Sequence, residues 1–218
     1  MLNGIRLIIY DLDGVLVDTS DAICLSFNAA LEDAGEAPSN NEEIRGMIGV
    51  PLDEMYRRVL PQERWGLVEG CFKRYREVFM DVSLEHARIL DGVEATLSHF
   101  EEEGLQQCLA TNKSTPEAEK VLAHIGIDGY FDLIVGYDDV PNPKPSPDMI
   151  LLALDAMGVE PDEAVLIEDS PTGLSAGKGA GVFPVAVATG FYDAGVLADS
   201  KPDYIIDDIK GLREIVFV

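Results

Sequence analysis

Four polar clusters, each just beyond a short apolar run or a proline turn, hold the side chains needed to move a phosphoryl group. Asp11-Leu12-Asp13-Gly14 ends the run that starts at Ile5, and Thr111-Asn112-Lys113-Ser114 follows Leu109-Ala110. Lys144 stands between Pro143 and Pro145, and Glu168-Asp169-Ser170 follows Val165-Leu166-Ile167. Phosphoryl transfer to water needs a carboxylate that attacks phosphorus and a second acid that protonates the leaving oxygen. It also needs a divalent cation, a lysine and hydroxyl or backbone donors on the phosphoryl oxygens. Asp11, Asp13, Thr111, Lys144, Glu168 and Asp169 supply that set. A donor set made of oxygens suits Mg²⁺ rather than zinc, which favours His and Cys.

Taken singly, each cluster has an ordinary reading. Asp-Gly is common turn chemistry. Thr111-Asn112 can cap the following helix, Lys144 can be a solvated loop residue, and Glu168-Asp169 can be acids at a helix start, favoured by the dipole. Their order along the chain gives them joint weight. Doubly wound sheets place their sites beyond the carboxyl ends of the strands, and that is where these clusters fall.

The elements that must position them follow from the apolar pattern. Ile5 to Tyr10 reads as a buried strand, being short, β-branched and broken by Asp-Gly. From about Asp18 to His86 the pattern is helical. Thr19-Ser20-Asp21 reads as an N-cap ahead of Ile23, Phe27, Ala30 and Leu31, and further amphipathic stretches fall at 42–48, 52–60 and 64–80. After Gly92, helical stretches (93–103, 117–125, 148–157, 173–180) alternate with strands at 105–110, 133–135, 164–167, 184–187 and 204–206. Such alternation predicts βαβ crossovers and an α/β fold with a doubly wound parallel, Rossmann-like sheet. The helical block then interrupts the α/β core after its first strand, giving a core of residues 1–15 and 86–218 and a helical insertion of 16–85.

These clusters closely resemble the motifs of the haloacid dehalogenase superfamily of phosphatases. Asp11-Leu12-Asp13-Gly14-Val15-Leu16-Val17-Asp18-Thr19 is similar to the first motif and Ala110-Thr111-Asn112-Lys113 to the second. Lys144-Pro145-Ser146-Pro147-Asp148 resembles the third as found in the branch of phosphoglycolate phosphatase and β-phosphoglucomutase, and Ile167-Glu168-Asp169-Ser170-Pro171-Thr172-Gly173 the fourth. The resemblance implies an α-helical cap over the site. It implies Asp11 as nucleophile and Mg²⁺ ligand, and Asp13 as general acid/base whose main-chain carbonyl also reaches the metal. Thr111 and the Asn112 backbone N–H would bind phosphate, Lys144 would balance charge, Asp169 would ligate Mg²⁺, and Glu168 would do so directly or through water. Dehalogenase members lack an acid at the place of Asp13, so its presence points to phosphate esters, whose alkoxide leaving group needs a proton. The leading substrate implied is 2-phosphoglycolate; sugar phosphates, pyrophosphate and nucleoside monophosphates stay open. The mutase alternative is disfavoured, because Ile23 stands where the mutase has a histidine. The loop Met47-Ile48-Gly49-Val50-Pro51-Leu52 also lacks the mutase's basic residues, leaving Arg45 as the nearest cation.

Bulk properties narrow the partners. A formal net charge of −24 over 218 residues argues against nucleic acid and anionic membranes. No window approaches the ~20 apolar residues of a membrane span, and the N-terminus lacks a signal peptide pattern. A cytoplasmic enzyme acting on a small phosphorylated metabolite is expected, with oligomeric state open. Cys24, Cys71 and Cys108 fit neither a disulfide framework nor a zinc site and read as core thiols. His86, His99 and His124 read as surface or packing residues. Trp65, Phe72, Tyr75 and Phe79 read as the core of the helical block, with a substrate-facing ring among them left open.

Overall fold

The computed structural model describes residues 1–217. β1 (Leu2–Asn3) and β2 (Leu7–Tyr10) open the chain, and β3 (Val17–Asp18) leads into the helical block. That block holds α1 (Ser20–Asp33), α2 (Asn41–Arg45), α3 (Leu52–Val59) and α4 (Val68–His86), and β4 (Arg88–Ile89) leads out of it. Then come α5 (Val93–Glu102), β5 (Gln106–Ala110), α6 (Thr115–Ile125), β6 (Leu133–Val135) and α7 (Asp148–Met157). β7 (Ala164–Glu168), α8 (Pro171–Ala180), β8 (Phe183–Val187), α9 (Ala194–Asp199) and β9 (Tyr204–Ile206) follow. α10 (Leu212–Ile215) and β10 (Val216–Phe217) close the chain, and β10 pairs in parallel with β1.

Six strands form the main sheet in the order β6-β5-β2-β7-β8-β9, and every pairing in it is parallel. The order reverses at β2, whose neighbours are β5 on one side and β7 on the other. Connections leaving β5 and β7 therefore diverge and open a crevice beyond the end of β2. β2 is buried on both faces. Ile8 and Tyr10 face a cluster with Leu97 and Phe100, while Leu7 and Ile9 face one with Met149 and Ile150. This is the two-residue alternation of a strand covered by helices on both sides. Packing on both faces fixes the end of β2, and with it position 11, in the middle of the sheet.

The helical block has an apolar cluster of its own, built on Phe27, Ile44, Met55, Tyr56, Cys71 and Phe79. Phe27 stacks on Tyr56 with ring centroids 4.2 Å apart. The chain enters and leaves the block side by side, since β3 and β4 pair antiparallel, Val17 opposite Ile89 and Asp18 opposite Arg88.

Several elements differ from the sequence reading at their ends. The stretch 64–80 is two elements, a 3-10 turn over Gln62–Leu67 and then α4 to His86. Trp65 lies on that turn and is exposed, its indole N–H donating to the Arg57 and Leu60 carbonyls, so it is not core. α6 starts at Thr115 rather than 117 because Glu117 reaches back to the Ser114 N–H (2.9 Å) and hydroxyl (2.6 Å). That leaves Pro116 in the first turn, where a missing N–H costs nothing. α8 likewise starts at Pro171, after Ser170 accepts from the Gly173 N–H at 3.1 Å. Thr19 precedes α1, but its hydroxyl donates to Asp13 instead of capping the helix.

Phe27 is fully buried in the helical block. Phe27→Ala is expected to cost about 3–5 kcal/mol, the usual range for emptying a buried aromatic site. Urea unfolding followed by circular dichroism measures it, and a loss below about 1 kcal/mol would show that the block does not depend on this stack.

Candidate active site

Asp11 follows the last residue of β2 and is pinned there by its N–H, which donates to the Ile167 carbonyl of β7 at 3.0 Å. Thr111 follows β5 and donates its N–H to the Val135 carbonyl at 3.0 Å. Glu168 ends β7, with Asp169 next to it, and Lys144 arrives from the loop ahead of α7. The Lys144 Nζ donates to Asp11 Oδ1 at 3.0 Å, to the Ala110 carbonyl at 2.6 Å and to Glu168 Oε1. The other Glu168 oxygen accepts from the Ser170 hydroxyl at 3.0 Å. Carboxylate oxygens of Asp11, Glu168 and Asp169 all lie within 4.8 Å of one another. Residues up to 158 positions apart in the chain thus meet at one point because three adjacent parallel strands end together.

All four of these side chains are buried, and burial governs their electrostatics. Desolvation pushes Asp11 up to about 7, with Glu168 and Asp13 adding repulsion and Lys144 opposing. Burial also raises Asp169 well above the usual carboxylate range, assisted by Glu168, Asp11 and Asp13. For Lys144, burial pulls downward, but Asp11 and Glu168 outweigh it and the ammonium ends above an ordinary lysine. One lysine therefore faces three acids, an excess of negative charge in a low-dielectric setting. Asp169 Oδ2 is buried with no hydrogen-bond partner. Around that oxygen Gly14, at φ +79°, and Gly190 approach so closely that a Cβ on either would overlap the Asp169 carboxylate. A buried, unpartnered anionic oxygen among two other carboxylates fits a divalent cation with oxygen ligands.

The remaining residues form a wall around this centre. The Asp13 carboxylate accepts from Thr19 at Oδ1 and pairs with Lys113 Nζ at 2.7 Å. Lys113 in turn sits 4.3 Å from the centroid of the Phe79 ring of α4. Thr111 is buried in the same cavity. The Asn112 amide donates to the Gly49 carbonyl at 3.3 Å and the Lys144 carbonyl at 3.4 Å. Gly49 also accepts from the Thr172 hydroxyl at 2.7 Å, so the loop before α3 is seated on the core through one carbonyl. Neither of the capping roles open to these runs is taken by Thr111-Asn112 or Glu168-Asp169, since Ser114 and Ser170 precede α6 and α8.

Sequence reasoning missed several neighbours of the site. Lys113 stands beside Asn112 at a strand end, so its position was a usable signal. Arg76 had none, being one of many charges on α4, yet it reaches Glu117 at 3.2 Å, the Tyr137 hydroxyl at 2.8 Å and Ser114 Oγ at 3.2 Å. Phe72, Tyr75 and Phe79 all line the cavity. Arg45 instead pairs with Asp21 at 2.5 Å on the surface. The histidines lie on α4, α5 and α6, outside the cavity lining. The three cysteines are buried thiols.

The raised Asp11 carboxyl carries a consequence for stability. Folding favours its protonated form, so its contribution is intact below the ordinary carboxylate range and is lost as pH rises through about 7. In EDTA the unfolding temperature should fall between about pH 4 and about pH 8, and fall less in Asp11→Asn, whose amide cannot ionise. Equal slopes for the two proteins in a thermal melt would overturn this picture of the cluster.

Comparison with known proteins agrees with this geometry. A family model described as haloacid dehalogenase-like hydrolase matches residues 8–187. Phosphoglycolate phosphatase of Photorhabdus laumondii subsp. laumondii is 31% identical over 220 residues, covering 99% of this chain and 94% of that protein. Pyrophosphatase PpaX of Bacillus velezensis is 30% identical, covering 97% and 96%. Among solved structures, a predicted phosphoglycolate phosphatase from Haemophilus somnus superposes with a TM-score of 0.88 at 25% identity, covering 99% of both chains. CbbY from Rhodobacter sphaeroides, in complex with phosphate, gives 0.81 at 26% identity, covering 95% and 96%. The match to the family model spans β2 through β8, the strands whose ends carry the acids. The chain belongs to the haloacid dehalogenase-like hydrolase family, in its phosphatase branch.

Proposed function

We propose that this phosphatase is a Mg²⁺-dependent phosphomonoester hydrolase that acts on a small phosphorylated metabolite through a phospho-aspartate formed on Asp11. The observation that carries the reading is the meeting of Asp11, Glu168, Asp169 and Lys144 at the switch point of the sheet, with Asp169 Oδ2 unpartnered. Residues 16–85 act as a cap over the core of 1–15 and 86–218, as the cavity between the Ile48–Leu52 loop, α4 and the strand ends supports.

In this mechanism the Asp11 carboxylate attacks phosphorus, the phosphorus–alcohol bond breaks, and Asp13 gives its proton to the departing oxygen. Water then attacks the phosphorus of phospho-Asp11, Asp13 takes a proton from it, and the bond to Asp11 breaks to release phosphate. Thr111 and the Asn112 backbone N–H orient the phosphoryl oxygens. Lys144, held by Glu168, offsets the charge that Asp11 and the phosphoryl group bring together. Asp11, the Asp13 main-chain carbonyl and Asp169 would hold Mg²⁺. Glu168, both of whose oxygens already accept from Lys144 and Ser170, would join through water. When bound, Mg²⁺ supplies charge neutralisation at the phosphoryl oxygens. Asp13 accepts from Thr19 and pairs with Lys113 in this conformation, so carrying the proton for the leaving oxygen means giving up the ion pair with Lys113. Ile23 lines the cavity with a hydrocarbon side chain. It cannot do the proton transfer of the mutase histidine, which favours hydrolysis over isomerisation.

Asp11→Asn should lower p-nitrophenyl phosphate hydrolysis in Mg²⁺ by at least about a thousandfold while the far-ultraviolet spectrum is unchanged. Retained turnover would remove the nucleophile assignment. EDTA should silence the wild-type enzyme and Mg²⁺ restore it; activity that persists in chelator would count against the metal. Asp13→Asn should depress alkyl phosphates by roughly 10²–10⁴-fold but p-nitrophenyl phosphate far less, since that leaving group scarcely needs a proton. Equal losses on both would reject Asp13 as the acid.

A further inference from the structure

The walls above Asp11 differ from its floor. On the side of the helical block the cavity is lined mainly by Ile23, Ile48, Val50, Met55, Phe72 and Phe79, with Asp53, Tyr75 and Arg76 as the polar side chains. The cations among the lining residues already have acidic partners. Lys144 is committed to Asp11 and Glu168, and Lys113 to Asp13. Arg76 is committed to Glu117, with its remaining nitrogens on Tyr137 and Ser114, and Asp53 is paired with Arg57 one turn on. In this conformation, with Asp13 ionised, a second anionic group on a substrate would therefore leave water for largely apolar walls, with every side-chain cation of the lining already paired. It would also approach a chain of net charge −24. Burying such a charge without a partner is far more costly than burying hydrocarbon. The cavity has a volume of about 140 Å³ and must also hold the phosphoryl group, so the other half of the substrate is compact.

We propose that the alcohol half of the substrate is uncharged, compact and largely apolar, so that the enzyme selects aliphatic or aromatic monophosphates over phosphorylated acids, bisphosphates and pyrophosphate. This rests on the phosphatase reading above and runs against 2-phosphoglycolate, whose carboxylate would face the Ile48–Met55 wall. Glu117 acts here as a specificity residue: by neutralising Arg76 it removes the lining cation of the helical block that could otherwise receive a second anion.

The test compares kcat/KM of the full chain in Mg²⁺ for isobutyl phosphate, glycerol phosphate, phosphoglycolate and pyrophosphate, with p-nitrophenyl phosphate as the activity control. Isobutyl phosphate should exceed phosphoglycolate and pyrophosphate by at least about tenfold, the lower end of what one apolar contact discriminates. Glycerol phosphate should fall between. In Glu117→Gln, which frees the Arg76 charge while keeping the side-chain shape, the phosphoglycolate to isobutyl phosphate ratio should rise at least about threefold, roughly 0.7 kcal/mol of discrimination. Phosphoglycolate or pyrophosphate turned over as well as isobutyl phosphate, with p-nitrophenyl phosphate hydrolysis intact, would overturn the inference alone. An unchanged ratio in a folded, active Glu117→Gln would remove the role given to Glu117. Failure to hydrolyse any compound, p-nitrophenyl phosphate included, would bring down the phosphatase reading and this inference with it.

Discussion

Burial of three carboxylates around a single lysine is the constraint on which the rest of this structure depends. Asp11, Glu168 and Asp169 would each be more stable apart and in water, and Lys144 can compensate only part of their charge. They stay together because the backbone gives them no choice. Asp11 is fastened to β7 through the Ile167 carbonyl, Glu168 is the last residue of a fully buried strand, and Lys144 is held from below by the Ala110 carbonyl. The apolar sheet on both faces of β2 supplies the stability that the cluster spends. Placing excess negative charge at a rigid point in a low-dielectric setting prepares a site for a cation and a phosphoryl group.

The same economy of charge shapes the surroundings. A chain with forty acids against sixteen bases presents a repulsive field to any phosphate, so attraction has to be local. Lys144 and Lys113 are the buried cations of the crevice, each already paired with an acid. Lys113 also ties two parts of the molecule together, pairing with Asp13 on the core while lying against Phe79 on α4. Arg76 makes a second tie from α4 into the start of α6, and the Gly49 carbonyl a third through Asn112 and Thr172. Apolar groups cross the same seam, since Phe72 of α4 meets Tyr137 edge-on with ring centroids 6.2 Å apart and Phe191 packs against the apolar cluster of the block.

Much of this was legible in the chain, for reasons that individual residues make plain. β2 could be read because four consecutive apolar residues end at an Asp-Gly turn, and β6, β9 and α7 matched the reading to the residue. Helix starts were read less well. Thr115 and Pro171 open their helices only because Ser114 and Ser170 cap them, and serine is too common in loops to announce this. The two-residue pairs β3–β4 and β1–β10 carry no periodicity at all. Trp65 was misread because its size argued for burial, while a 3-10 turn set it outside.

The chain alone determined the type and order of its main elements, and with them the placing of Asp11, Thr111, Lys144, Glu168 and Asp169 after successive strands or turns. That information is local: period, turn chemistry and caps act over a few residues. Only the tertiary structure decided which side chains face one another. Strand order brought β7 beside β2, the packing of α4 put Arg76 on Glu117 and Phe79 over Lys113, and two glycines left Asp169 Oδ2 bare. Such pairings depend on how distant segments settle against each other, and neither residue type nor spacing encodes the distance between them.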